Sequence, residues 1–169
     1  MFEHLRRIAK KLDVEVQPGT AENAKGEKFE ITLLKHGAHV IAALERKQYT
    51  TLLYPIDFSP QESDLLASQP EEIQTRLIGI LRREMLEGRS GFNMLFDETK
   101  KPPRLRRITI EQKLVIQDEG PETTQRVADA IQELVVVGMR CGDALGLAYQ
   151  DLRSARQGSA DTYHAGMYA

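Results

Sequence analysis

Between Phe29 and Tyr54 three β-prone stretches follow one another on connections too short for a crossover. Phe29, Ile31 and Leu33 alternate with Glu30, Thr32 and Leu34, and His36-Gly37 turns the chain. Val40 to Leu44 is apolar on both parities, as expected of a buried strand, and Glu45 to Gln48 forms a polar turn. Tyr49 to Tyr54 is β-branched and aromatic. Parallel neighbours need a connection of a dozen residues or so, so these strands must form an antiparallel meander.

The flanks supply helices and one further hairpin. Residues 2–13 place Phe2, Leu5, Ile8, Ala9 and Leu12 on one helical face, with Arg6, Arg7, Lys10 and Lys11 on the other. Val14 and Val16 can begin a strand, but Gln17 to Glu27 is polar, carries Pro18-Gly19 and reads as a loop. Ser59-Pro60-Gln61-Glu62 is a helix start in which a Ser side chain caps and a Glu bonds back. Pro70 cannot lie deep inside a continuous helix, so a kink or a second helix is expected there, with Ile73, Leu77, Ile80, Leu81 and Leu86 marking a segment that ends before Gly88.

Phe92, Met94 and Phe96 alternate in a fourth strand. Ile108, Ile110, Leu114 and Ile116 mark the core side of a fifth, interrupted by Gln112, with Arg107, Thr109, Glu111 and Lys113 toward water. From Gly120-Pro121-Glu122 helical spacing runs through Val127, Ile131, Leu134, Val135, Leu145, Tyr149 and Leu152.

The expectation is an α+β fold with an antiparallel sheet of about five strands, helices on one face and the order α-β-β-β-α-β-β-α. One domain spans residues 1–153, and residues 154–169 form a flexible tail without periodicity. The length, 169 residues, suits a single core, and 41% hydrophobic with 28% charged residues is ordinary globular composition. A net charge of −2 gives no global field for nucleic acid. The lone Cys141 rules out an internal disulfide framework, and no stretch of the sequence is apolar for the length of a membrane span. A cytoplasmic setting follows as the default expectation.

Chemistry-bearing residues are sparse. His36 and His39 lack a third convergent ligand, so no metal site is expected. Cys141 stands among small helix residues and reads as a buried hydrophobe rather than a nucleophile. Asp97-Glu98 and Glu71-Glu72 are carboxylate pairs, but at a loop and a helix start, where carboxylates are favoured for other reasons. No phosphate loop, dinucleotide fingerprint or nucleophile elbow occurs. No catalytic residue and no cofactor is assigned.

Two features invite contact. Lys100, Lys101, Arg104, Arg106, Arg107 and Lys113 form a basic segment that could hold phosphates or nucleic acid, although no aromatic residues interleave to stack bases. A solvated strand edge is its ordinary reading. Gly138, Gly142 and Gly146 repeat every four residues in the last helix. Each costs about 1 kcal/mol relative to Ala, so either a close approach to the chain's own sheet or a subunit interface should compensate. The segment is too polar for the membrane use of this pattern.

The order of these elements over about residues 2–150 resembles the type III secretion chaperone-like fold, which includes the YbjN-like bacterial proteins. The resemblance rests on helix Phe2–Asp13, meander Phe29–Ile56, the Ser59-Pro60-Gln61-Glu62 start, hairpin Phe92–Ile116 and the long last helix. It implies a protein-binding, chaperone-like module with an unknown protein partner, frequent homodimerisation and no enzymatic activity. Weak acidity and the C-terminal extension depart from the secretion chaperones.

Overall fold

A computed structural model describes residues 2–22, 27–86 and 90–165. The elements are α1 (Phe2–Lys11), β1 (Glu15–Glu22), β2 (Lys28–His36), β3 (His39–Glu45), β4 (Thr50–Asp57), α2 (Pro60–Ala67), α3 (Glu71–Leu86), β5 (Gly91–Asp97), β6 (Arg104–Leu114) and α4 (Pro121–Ala165). All strand pairs are antiparallel, in the order β1-β2-β3-β4-β6-β5. The α+β class and the element order are as expected, with six strands rather than five.

The additional strand is β1, which runs through Gln17 to Glu22, residues that read as loop. Pro18 and Gly19 sit opposite Thr32 and Ile31. A proline is tolerated there because β1 is an edge strand, whose outer side has no ladder to feed. A Cβ on Gly19 would stand 2.9 Å from Leu33 Cγ, so the glycine gives room to the neighbouring strand's side chains. Residues 23–26 of the expected loop lie outside the described residues.

Local chemistry explains the helix boundaries. Ser59 caps α2 through a reciprocal pair, with Glu62 N donating to Ser59 Oγ at 3.2 Å and Ser59 N donating to Glu62 Oε2 at 2.8 Å. The chain breaks at Ser68–Pro70 and restarts as α3, so the proline separates two helices. The expected Gly88 cap of α3 lies outside the described residues. Helix α1 ends with Asp13 at φ 55°, where Val14 N donates to Ala9 O at 2.9 Å and Asp13 N donates to Lys10 O at 3.3 Å. This is a Schellman closure with an aspartate in the glycine position.

The core lies between one face of the sheet and the helices. Register places Leu34, Ile41, Ala43, Leu52, Ile108 and Ile110 on that face, and all are fully buried. Helix α4 crosses β4 and β6, α3 packs on α4, α2 on β6 and α1 beside β1. Gln112, the polar interruption on the core side of β6, donates to Ser90 Oγ at 3.1 Å, which satisfies both groups at the rim. Helix α1 is tied to the lead-in of α4: His4 Nδ1 lies 2.9 Å and Arg7 Nη1 3.1 Å from Glu119 Oε1, and Lys11 donates to Glu119 O. The His4 bond holds the Glu119 carboxyl below the usual range, against a smaller opposing effect of burial.

Helix α4 is 45 residues long, about 67 Å. Its backbone stays helical to Ala165, past the boundary expected at Arg153. The side chains from Asp151 on, and residues 166–169, lie outside the description, so of the expected tail only the backbone of 154–165 is described. Among the described residues no helix is long and apolar enough to cross a membrane.

Candidate functional site

The glycine series of α4 divides. Gly138 is buried against β4: a Cβ there would stand 2.8 Å from Tyr54 Cδ1 and Cζ, so the helix meets the tyrosine ring edge-on. The ring is also tethered at its hydroxyl, where Tyr54 OH and His39 Nδ1 are 2.9 Å apart. Gly142 and Gly146 are exposed, and a Cβ on either meets nothing within 4 Å. They border a hollow of about 220 Å³ lined also by Ile56, Phe58, Glu62 and Tyr149. Only Gly138 therefore serves the chain's own packing.

The basic segment is also divided. Arg104 is ion-paired with Asp64 of α2, and Arg107 with Asp57 of β4. Arg106 is the extra residue of a bulge, since Leu95 pairs with Arg107 while Phe96 pairs with Leu105. Its carbonyl accepts from Phe58 N at 2.9 Å. The bulge breaks the strand alternation within the basic segment. Lys113 lies over the Tyr49 ring and 4.0 Å from Glu111. Lys100 and Lys101 are exposed in the β5–β6 loop.

Cys141 is fully buried, and burial, reinforced by Glu84, pushes its thiol up to about 11. A thiol so placed is protonated at neutral pH and not a nucleophile. Asp97 accepts from Thr99 N at 3.1 Å and from Thr99 Oγ1 at 2.5 Å. The side-chain bond holds it below the usual range, the reverse of what a general acid needs. Glu71 and Glu72 are exposed in the first turn of α3. His36 and His39 face each other across the β2–β3 hairpin. Among the described residues no three His, Cys, Asp or Glu side chains converge for a metal.

The surface that sequence reading missed is the helix-free face of the sheet. Register brings Leu33 beside Ala42, Ala42 beside Leu53, and Ile31 to the same side. Val40 and Leu44 complete the patch. Val40 is 41% exposed, where a fully buried strand was expected, and the others are half-buried. Arg107, Glu111 and Lys113 on β6 rim the patch, on the water side as expected. The signal lay in the sequence: β3 is apolar on both parities, and the larger apolar set of β2, Phe29-Ile31-Leu33, points away from the helices. Two wider hollows, of about 670 Å³ at the α1–β1 junction and about 490 Å³ between the end of β6 and α4, are lined mostly by charged side chains of both signs.

The class defined by these features is an antiparallel α+β domain with helices on one face and an apolar surface on the other. No family model matches the chain. No curated protein matches it by sequence at a significant level. Among solved structures, the chain is similar to an uncharacterized protein from Methanothermobacter thermautotrophicus, with TM-score 0.65, 12% identity, and 89% of this chain and 97% of that one covered. It is also similar to YbjN, a candidate transcription regulator from E. coli, with TM-score 0.47, 14% identity, and 86% of this chain and 90% of that one covered. These likenesses are ones of architecture.

Proposed function

We propose that the chain is a protein-binding, chaperone-like module that holds an apolar polypeptide segment on the helix-free face of its sheet. One observation carries this reading: Ile31, Leu33, Val40, Ala42, Leu44 and Leu53 form a contiguous apolar patch that none of the described helices covers. Such patches on soluble proteins mark contact surfaces. The buried thiol of Cys141 and the stabilised carboxylate of Asp97 support a binding role over an enzymatic one. The reading keeps the cytoplasmic setting that is the default expectation.

The test is fluorescence anisotropy with labelled apolar peptides, on the wild type and on Leu33→Lys and Val40→Glu, each checked for fold by circular dichroism. Saturable binding weakened tenfold or more in both folded variants is expected. Absence of binding to any apolar peptide, or binding indifferent to both substitutions, overturns the reading. A phosphate- or nucleic-acid-binding role for Lys100–Lys113 draws less support, because Arg104 and Arg107 are already paired with carboxylates. Salt-sensitive retention on DNA or RNA, lost on Lys100→Glu with Lys101→Glu, would favour it instead.

A further inference from the structure

Helix α4 has a second apolar side. Of the seven large hydrophobic residues exposed among the described ones, three lie on it: Val136 at 38%, Met139 at 50% and Leu147 at 65%. At helical spacing these three share one stripe, turned away from the buried series Leu134, Cys141 and Leu145. Arg140 and Asp143 lie on the same stripe, both exposed and neither with an ion-pair partner among the described residues.

We propose that this stripe is the contact between two copies of the chain, with the α4 helices antiparallel about a two-fold axis passing between Cys141 and Gly142. The charge pattern selects that occupant and that register. In an antiparallel pair centred there, Val136 of each copy stands level with Leu147 of the other, and Arg140 level with Asp143. One two-fold contact thus makes two apolar pairs and two opposite-charge pairs from a single self-complementary surface. Gly146, at the edge of the stripe, carries no side chain to hold the helices apart. A parallel pairing in register would instead set Arg140 on Arg140 and Asp143 on Asp143.

The stripe from Gln132 to Gln150 is about 27 Å long. One helix pair of that length falls at the small end of specific interfaces, so a micromolar dimer is expected. The contact lies on the outer side of the helical layer, away from the apolar sheet face, so peptide binding and self-association fail independently.

Sedimentation velocity on the full chain from about 1 to 200 µM tests the proposal. A reversible dimer is expected, with Leu147→Glu and Val136→Glu each raising its dissociation constant tenfold or more. These positions are exposed, and circular dichroism confirms the fold of each variant. The charge exchange tests the register: Arg140→Asp and Asp143→Arg each weaken the dimer, and the two together restore it. A wild-type monomer at 200 µM overturns the proposal, as does a dimer unaffected by Leu147→Glu and Val136→Glu. A combined exchange no better than either single change overturns the antiparallel register.

Discussion

Gly138 and Gly142 are one helical turn apart on α4 and read identically in the sequence, yet their surroundings are opposite. At Gly138 the ring of Tyr54 occupies the space a side chain would need. At Gly142 the same space is open to solvent. Both pay the backbone entropy of glycine in a helix, about 1 kcal/mol against alanine, but only Gly138 gains a close helix–sheet contact in return. A repeat of small residues is thus a statement about spacing along a helix, and what each member does depends on what lies across from it.

The largest expected effect is at Gly138. Gly138→Ala drives a methyl group into the Tyr54 ring, whose hydroxyl is tethered to His39, and should destabilise the fold by about 1–3 kcal/mol despite the better helix propensity of alanine. Urea unfolding measures it. Tyr54→Leu combined with Gly138→Ala should recover much of that loss, because the obstruction is the ring edge. A double variant as unstable as the sum of its parts would place the strain elsewhere and break the contrast.

Cys141, adjacent to Gly142 but turned inward, sharpens the same contrast through pH. Its folded-state pKa lies near 11, above the ordinary thiol value, because burial disfavours the thiolate. The unfolded chain therefore releases this proton first as pH rises. The stability contribution is fully present below the unfolded thiol's pKa and is lost between there and pH 11, by of order 2 kcal/mol. Tyr149, pushed up to about 12 by burial with Glu62 adding to it, extends the loss to higher pH. Cys141→Ala should flatten the part of the decline between about pH 9 and 11. An unchanged slope would mean the thiol is more open to water than its side of the helix implies.

The smaller partner of the Gly138 test has the opposite sign. Gly142→Ala should stabilise by about 0.5–1 kcal/mol, since the methyl group meets nothing and the unfolded chain loses freedom. If Gly142→Ala destabilises the chain at concentrations where it is monomeric, the hollow beside it is not open and the contrast with Gly138 fails.

How much of this was legible follows from the range of the forces involved. The capping box at Ser59, the break at Pro70 and the meander from Phe29 are local, and reading neighbours a few residues apart was enough. Strand β1 was missed because Pro18 and Gly19 are breakers only when a strand has partners on both sides, and edge position is a property of the whole sheet. The Arg106 bulge was missed for a related reason: it depends on the register of β5 against β6. The apolar face was half legible. Val40 to Leu44 showed apolar residues on both parities, but only the placement of four helices on one side decides which parity stays uncovered. The two readings left open for the glycines could be separated only by Tyr54, more than eighty residues away.

Asp13 is the converse of Gly142, a side chain where the backbone asks for glycine. At φ 55° it occupies the left-handed closing position of α1, where a Cβ is strained, although aspartate tolerates it better than most residues. Its carboxylate also sits at the negative end of the helix dipole. Asp13→Gly relieves both effects but frees the unfolded chain, so the net gain should be about 0.5 kcal/mol. Asp13→Asn keeps the tolerance of the left-handed region and removes only the charge, so it should gain a few tenths of a kcal/mol. Asp13→Ala retains the strain without the local hydrogen-bonding of an aspartate and should cost about 1 kcal/mol. The order Gly, Asn, Asp, Ala in urea midpoints is the signature of a backbone effect. If Asn equals or exceeds Gly, the charge at the helix end dominates and the conformation of residue 13 contributes little.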